Sequence, residues 1–579
     1  MSEGTGDNPT DGGNVYASAE ESRQYRGTSY MPTNYDNLDV APDVEEYPDR
    51  GDGDGHRLLD LPRVPKLKYV LGPSAIMLGA SLGSGETLFW PTLIAEHGWA
   101  LYWAFFVGVL TQFVINTEIQ RWTVATGESV FRAFERLSGF WPLLLLALGF
   151  ISLGWPGWAA TAARIGAIGL GMEDVSVTVP FAELVGWKLF GILLMVVIWL
   201  TYHLTPVMYN VVERIQIVLV VLGVLCAFGL FVALGSINEL AKVPRAVGGV
   251  GTIPPNQEIA VFLGGLAYAG AGGYLNLAQS LWVREKGYGM GRYMGRVKNP
   301  VVGDDPEPIQ RNGFTFPVNV TNLRRWRGWW RLVQLEHFLT FVFGLLFAAT
   351  IMMAVASEYA AGTTTGGVTM WATEIAPQVG TVGRTLIFLT LFIALFTTEY
   401  AIVESFVRNS ADIIYEQFGR TYGWSQARIF WLLLTVFSAW GILILALPIP
   451  VEQPFGLLVV AAAMSGVMMW PYTVLVLVVN VTRLPQHTQP GWPRIVGLWW
   501  ASSFFGYFSV LLLGQTIERG TGSGWFRAAP AVLGSDPGGY LLFAVFAVIQ
   551  AIAIVTTIRG KLRTKATVPD AEEAHGWLR

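Results

Sequence analysis

The chain has 579 residues, of which 52% are hydrophobic and only 14% charged, with a formal net charge of -4 and a mean hydropathy of +0.44. Soluble domains carry nearer a quarter charged residues, and apolar runs long enough to cross a hydrocarbon layer, roughly 20 residues each, recur along most of this sequence. A soluble enzyme is therefore excluded, as is a nucleic-acid binder, because the cations fall in short loops instead of one basic face; the single cysteine, Cys226, leaves no internal disulfide, CxxC pair or cysteine metal cluster.

Residues 1–60 are rich in Asp, Glu, Gly, Ser, Asn and Tyr and poor in aliphatic residues. Such a composition buries too little apolar surface to offset chain entropy, so a disordered acidic tail is expected, serving solubility or regulation. It lacks the apolar core and cleavage site of a signal peptide, so its retention is expected. A short basic stretch, Arg57, Arg63, Lys66 and Lys68, then meets the first apolar run.

Apolar length places about twelve spans, near 69–95, 98–120, 139–168, 181–202, 208–236, 257–282, 332–357, 380–407, 426–447, 455–481, 495–515 and 538–558. With the amino terminus inside, the inner loops collect Arg121, Arg132, Arg136, Arg408, Arg420, Arg428 and Arg483 and the cations of segment 284–331, while the outer loops keep little beyond Lys242, Arg245, Arg519 and Arg527. The positive-inside rule then puts both termini in the cytoplasm, with Arg559, Lys561, Arg563 and Lys565 in the last tail, 561–579. Segment 284–331 ends in Arg324-Arg325-Trp326-Arg327-Gly328-Trp329-Trp330-Arg331, which reads as a surface anchor at an anionic leaflet, with a substrate gate as the alternative.

Two spans carry residues that a continuous membrane helix avoids. The first contains Gly83-Ser84-Gly85-Glu86-Thr87, and Glu86 lies about 27 Å along an unbroken helix from Lys68, so it belongs at membrane depth. The sixth contains Tyr268, Gly270, Ala271, Gly272, Gly273 and Asn276 at comparable depth. Clustered glycines favour unwound backbone, which survives in a bilayer only where protein or water covers it. Breaks in the first and sixth spans are the pointer to inverted five-span repeats with a substrate site between them; close helix packing at small residues is the alternative. Glu86 reads either as a cap on the outer half-helix or as a group on an ion or substrate path. In the eighth span Thr397, Thr398 and Glu399 form a candidate ion site, with interhelical hydrogen bonding as the competing reading. His203, Glu213, Arg214, Glu336 and His337 lie near span ends, where snorkelling or ion pairing is expected.

At these residues the chain resembles the Nramp family of divalent-metal transporters, within the amino acid–polyamine–organocation superfamily, over roughly residues 65–515. The resemblance rests on Gly72-Pro73, on Gly98-Trp99 through Gln120, on Ala125-Thr126-Gly127, on Leu275 to Leu281 and on Arg483-Leu484-Pro485. It implies an all-α integral membrane protein of a prokaryotic cell membrane: a ten-helix inverted-repeat core over 61–482 with broken first and sixth helices, and two further helices over 483–560. It also implies alternating access driven by an ion gradient, with H⁺ or Na⁺ as coupling ion and no cofactor. The family's Asp-Pro-Gly-Asn metal motif falls on Gly83, Ser84, Gly85 and Glu86, and its metal-binding Met on Ala271, so Glu86 is the metal-ligand candidate and no thioether stands in the sixth span. Ala160 and Ala163, beside Arg164, take the places of the family's acidic proton-path residues. The glycine motif is also similar to that of amino-acid permeases, so a small cation and a small organic solute both stay open as substrates. A membrane enzyme or channel is the remaining class; no phosphate loop or serine–histidine arrangement supports it.

Overall fold

The structure, a computed structural model, describes residues 14–42, 55–172, 175–179, 182–235, 237–254, 258–303, 307–447 and 454–563. Among these, nine helices are long and apolar enough to cross a membrane, and two shorter apolar ones, Gly186–Thr201 and Ile259–Tyr268, accompany them. The first of the nine, Pro73–Thr126, is two spans. Its chain turns at Gly98 (φ 64°), and Trp90 lies 5.2 Å, ring to ring, from Phe105, which an unbroken helix would hold more than 20 Å away. Counting both arms and the short helices, the structure has the twelve spans that apolar length predicts.

In chain order the spans are Pro73–His97 (interrupted), Tyr102–Thr126, Phe140–Leu170 (kinked at Pro156), Gly186–Thr201, Met208–Leu234, Ile259–Lys286 (interrupted), Val320–Tyr359, Gly380–Tyr422, Gln426–Ala446, Phe455–Thr482, Trp492–Thr521 and Pro537–Arg563. Five reversals separate the first from the sixth, so the two run antiparallel. They touch beside their interruptions: Trp90, at the start of the second half of the first helix, donates from Nε1 to the Gly265 carbonyl at 2.9 Å. The small amount of strand lies outside the spans, as a β1–β4 pair (Arg57–Leu58 with Phe314–Thr315, parallel) and a β2–β3 hairpin (Ser176–Val179 with Ala182–Val185).

The β1–β4 pair fixes segment 284–319 to the face on which the first helix begins. At the other end of the chain Lys561 Nζ reaches Gln489 Oε1 (3.4 Å) in the loop before the eleventh helix, and Arg121 Nη1, at the base of the second helix, donates to Thr488 O in that loop (3.0 Å). The first and last described residues therefore share one face, called here the N-terminal face.

Two expectations are corrected on that face. Residues 14–42, expected within a disordered tail, are ordered; the rest of 1–54 lies outside the described residues. Ala19–Arg23 is a helical turn with a capping box between Ser18 and Glu21. Tyr25 is fully buried beside Trp329 (6.1 Å) beneath the Arg292 guanidinium (5.2 Å). Backbone bonds then stitch the segment down, from Ala17 to Val64 (2.9 Å), Ser29 to Lys286 (3.3 Å) and Met31 to Arg292 (2.8 Å), while Thr28 N–H donates to Asn210 Oδ1 (3.0 Å). Composition underestimates this order because the few aromatics in the tail are the residues that pack. The run 324–331, expected as a leaflet anchor, is instead the first turns of the seventh helix, which starts at Val320. Its tryptophans face protein: Trp329 Nε1 donates to Pro62 O (2.8 Å), and Arg121 stacks on Trp330 at 3.8 Å.

Candidate functional site

Gly83, Ser84 and Gly85 make the turn between the halves of the first helix. Leu82 N–H still reaches back four residues to Leu78 (2.9 Å), but Phe89 N–H reaches five, to Ser84 (2.9 Å), so Gly85–Phe89 is a widened π turn and not an unwound strand. The sixth helix breaks more completely. Gly270 (φ 150°), Ala271 (φ 56°) and Gly273 (φ 77°) leave the right-handed region, and Ala271 is the one non-glycine to do so among the described residues. Asn276 sits under this break. In the amide orientation that satisfies its neighbours it donates to Ala271 O (2.5 Å) and accepts from Tyr472 Oη (2.9 Å). Gln112 Nε2 donates to the freed carbonyls of Leu266 (3.0 Å) and Ala267 (2.7 Å), which meets the requirement that such groups be covered by protein.

Packing and interruption coincide at the glycines. A Cβ at Gly83 would stand 1.9 Å from Thr398 Oγ1, one at Gly85 2.1 Å from the Tyr268 carbonyl oxygen, and one at Gly272 2.4 Å from Met469 sulfur. Ser84 and Tyr268 meet through a third helix: Trp158 Nε1 donates to Ser84 Oγ (2.9 Å) and its ring lies 5.3 Å from that of Tyr268.

Glu86 stands apart from these contacts. It is fully buried, and among the described residues neither carboxylate oxygen has a hydrogen-bond partner. With Thr87 it lines a cavity of about 20 Å³ bounded by the fifth, seventh and eighth helices, through Gly223, Met352, Thr390, Ala394 and Thr397 among others. Three hydroxyls in that lining have their hydrogens committed to main-chain carbonyls: Thr87 to Gly83, Thr390 to Leu386 (2.7 Å) and Thr397 to Ile393 (2.6 Å). They offer the cavity lone pairs only. A larger groove of about 490 Å³, lined by Phe190, Arg384 and Phe392 among others, shares no residue with either break.

The eighth-helix candidates do not converge. Thr397 faces the Glu86 cavity, Thr398 Oγ1 donates across to the Ala80 carbonyl (2.9 Å), and Glu399 Oε2 accepts from Ala159 N–H (3.0 Å) at the start of the half-helix Gly157–Leu170, where its charge meets a helix N-terminus. Among the described residues no three His, Cys, Asp or Glu side chains cluster to hold a metal. Sequence reasoning missed Thr390 and Met352 as cavity residues, since no local motif marks them. Glu336 and His337 do lie beside a span end, at Ser74 in the first turn of the first helix, but they neither snorkel nor, among the described residues, form an ion pair. Both are fully buried where the seventh helix crosses the first.

Contacts bridge the helices on either side of the cavity. Trp371, in the connection between the seventh and eighth helices, donates to the Thr87 carbonyl (2.7 Å) from the far face. On the N-terminal face Lys286 pairs with Glu213, Gly72 packs against that carboxylate, and Tyr288 Oη donates to the Val70 carbonyl.

No protein-family profile matches the chain, and no curated protein matches its sequence. Among solved structures, the fold is similar to that of the Eremococcus coleocola manganese transporter. A mutant of that protein aligns with a TM-score of 0.56 and 10% identity over 88% of this chain and 98% of the other. Its complex with an aromatic bis-isothiourea substituted compound gives the same score and identity over 89% and 99%. Mhp1, a nucleobase-cation-symport-1 family transporter, solved in a closed conformation with bromovinylhydantoin bound, aligns at 0.48 with 12% identity over 95% of this chain and 99% of the other. At such identities the likeness is one of fold, and the chain has the all-α fold of an integral membrane transporter.

Proposed function

We propose that this protein is an Nramp-like secondary transporter that carries a small cation by alternating access, with Glu86 as the group that holds the cation. The observation that carries the reading is the Glu86 carboxylate, buried without a partner and facing a cavity whose other polar groups are acceptors. An uncompensated buried charge costs several kcal/mol, which a bound cation offsets. A cavity of about 20 Å³ holds little more than one water, which favours an ion over an amino acid or other organic solute. Bridging contacts on both faces support alternating access, and the N-terminal face is read as cytoplasmic from its loop cations.

Thermal shift of the purified protein with Mn²⁺, Mg²⁺ or Ca²⁺ tests the reading. A hundredfold excess over the dissociation constant stabilises by about 2.7 kcal/mol, and Glu86→Gln is expected to abolish the shift. Stabilisation of the wild type by an amino acid and by no divalent ion sinks the cation reading, and an unchanged shift in Glu86→Gln moves the site elsewhere. For the orientation, Val301→Cys in a Cys226→Ser background should resist an impermeant thiol reagent applied to intact cells; labelling there inverts it.

A further inference from the structure

Below the breaks, on the N-terminal side, the first, second, sixth and seventh helices enclose a second polar cluster that the cation site does not use. Glu336 Oε1 accepts the Ser74 backbone N–H (3.3 Å) and Glu336 Oε2 accepts the Ser74 hydroxyl. The same hydroxyl lies 2.8 Å from His337 Nδ1. Asn116 Nδ2 is 3.2 Å from His337 Nε2, and Gln279 Nε2 is 3.3 Å from Nδ1. The imidazole is stacked between Phe341 (4.5 Å, 11°) and Phe113 (5.9 Å, 18°), so a positive charge on it would face two ring quadrupoles. Among the described residues neither Glu336 nor His337 makes an ion pair. The nearby charges are spoken for: Lys286 pairs with Glu213, and Arg494 on the eleventh helix approaches Glu118 (3.9 Å). Tyr209 and Tyr288 are the neighbouring phenols.

We propose that Ser74, Glu336 and His337 form a proton-binding latch, and that a proton delivered to Glu336 releases the N-terminal half of the first helix from the seventh. The latch is one carboxylate accepting two hydrogen bonds from the first turn of helix Pro73–Ser81, each strengthened by the negative charge. A proton arriving on His337 passes through the hydroxyl. The Nδ1–H bond breaks as its hydrogen forms a new bond to Ser74 Oγ, the former Oγ–H hydrogen forms a bond to Glu336 Oε2, and the imidazole returns to neutral as its Nε2–H tautomer. The carboxyl group is then uncharged and one of its oxygens no longer accepts. The chain suits a proton, because the imidazole and the hydroxyl can each donate and accept and the carboxylate accepts. In the transporter reading, on which the coupling role rests, this makes the proton the driving ion and the first helix its moving part.

Hydrogen–deuterium exchange of the intact protein in nanodiscs tests the latch with the proton itself as ligand. After correction for intrinsic rates, amides of 73–81 in the wild type should exchange about tenfold faster near pH 5.5 than near pH 8, while those of the ninth and tenth helices do not change. Glu336→Gln, a neutral mimic of the protonated acid, should exchange fast at both pH values, and Ser74→Ala should lose the pH dependence by a separate route. A merely structural role would instead raise exchange throughout the protein. Wild-type exchange that ignores pH, or Glu336→Gln that keeps the wild-type profile, overturns the proposal. Mn²⁺ uptake into proteoliposomes separates it from the cation reading: no Mn²⁺ movement with pH-dependent release counts against transport alone, and Mn²⁺ movement without that release counts against the latch alone.

Discussion

Two glycines in the first interrupted span show how different demands look alike in sequence. Gly98 has φ 64° and open space where a side chain would go, whereas Gly85 keeps right-handed backbone but lies against the Tyr268 main chain. Both substitutions should cost roughly 1–3 kcal/mol, Gly98→Ala as backbone strain and Gly85→Ala because a carbonyl cannot swing aside as a side chain can. Urea or thermal unfolding in detergent measures both, and a Gly85→Ala protein as stable as the wild type would remove the close-approach account. Glu86 was legible because an acid inside an apolar run has few bland explanations. Thr390 and Met352 were not, since hundreds of residues separate them from Glu86 in sequence and only the fold gathers them. The expectation that Glu336 and His337 snorkel fails for a related reason. Apolar length starts the seventh span at 332, yet the helix begins twelve residues earlier, and the part before the span is covered by the tail instead of open to water.

Among elements, the loop after the second helix explains how the N-terminal face holds its shape. Burial would push the Glu128 carboxyl up, but the Arg136 guanidinium and His56 more than offset this and hold it well below the usual carboxylate range. Its Oε1 also accepts the Gly313 N–H (2.7 Å), beside the β1–β4 pair, so a single acid joins the second helix, the tail and segment 307–319. A group with a depressed folded value contributes stability that is present above the ordinary carboxylate range and is lost as pH falls through the depressed value. Glu128→Gln should cost roughly 3–5 kcal/mol at neutral pH by removing the buried charge that Arg136 bonds. An acid melt of the variant should lack the wild-type loss below the ordinary carboxylate range; an identical acid profile would contradict this role. The two helix breaks divide similarly between legible and hidden. Glycine clustering marks both, but a π turn in one and left-handed backbone in the other depend on what packs alongside: Thr398 and Tyr268 in the first, Gln112 and Ser465 in the second.

At the scale of the molecule, span count and the common face of the two chain ends were readable because bilayer thickness and loop charge act on sequence directly. The ordered tail was not readable, because its stability comes from partners far along the chain, such as Trp329, Lys286 and Asn210. That segment has a consequence for how the protein answers its solvent. It is net acidic and lies on the most basic face, and its Glu21–Arg63 pair (3.1 Å) is partly open to water. On the opposite face Trp371 reaches the Thr87 carbonyl through a contact that carries no formal charge. Raising ionic strength from about 0.1 M to 1 M shortens the Debye length from roughly 10 Å to roughly 3 Å, loosening the tail and sparing the Trp371 contact. Ionic strength thus acts as an asymmetric bias on which side opens: thiol labelling of cysteines placed behind Tyr25 should quicken in concentrated salt, while labelling behind Trp371 keeps its rate, and equal acceleration on both faces would show that charge does not hold the tail in place.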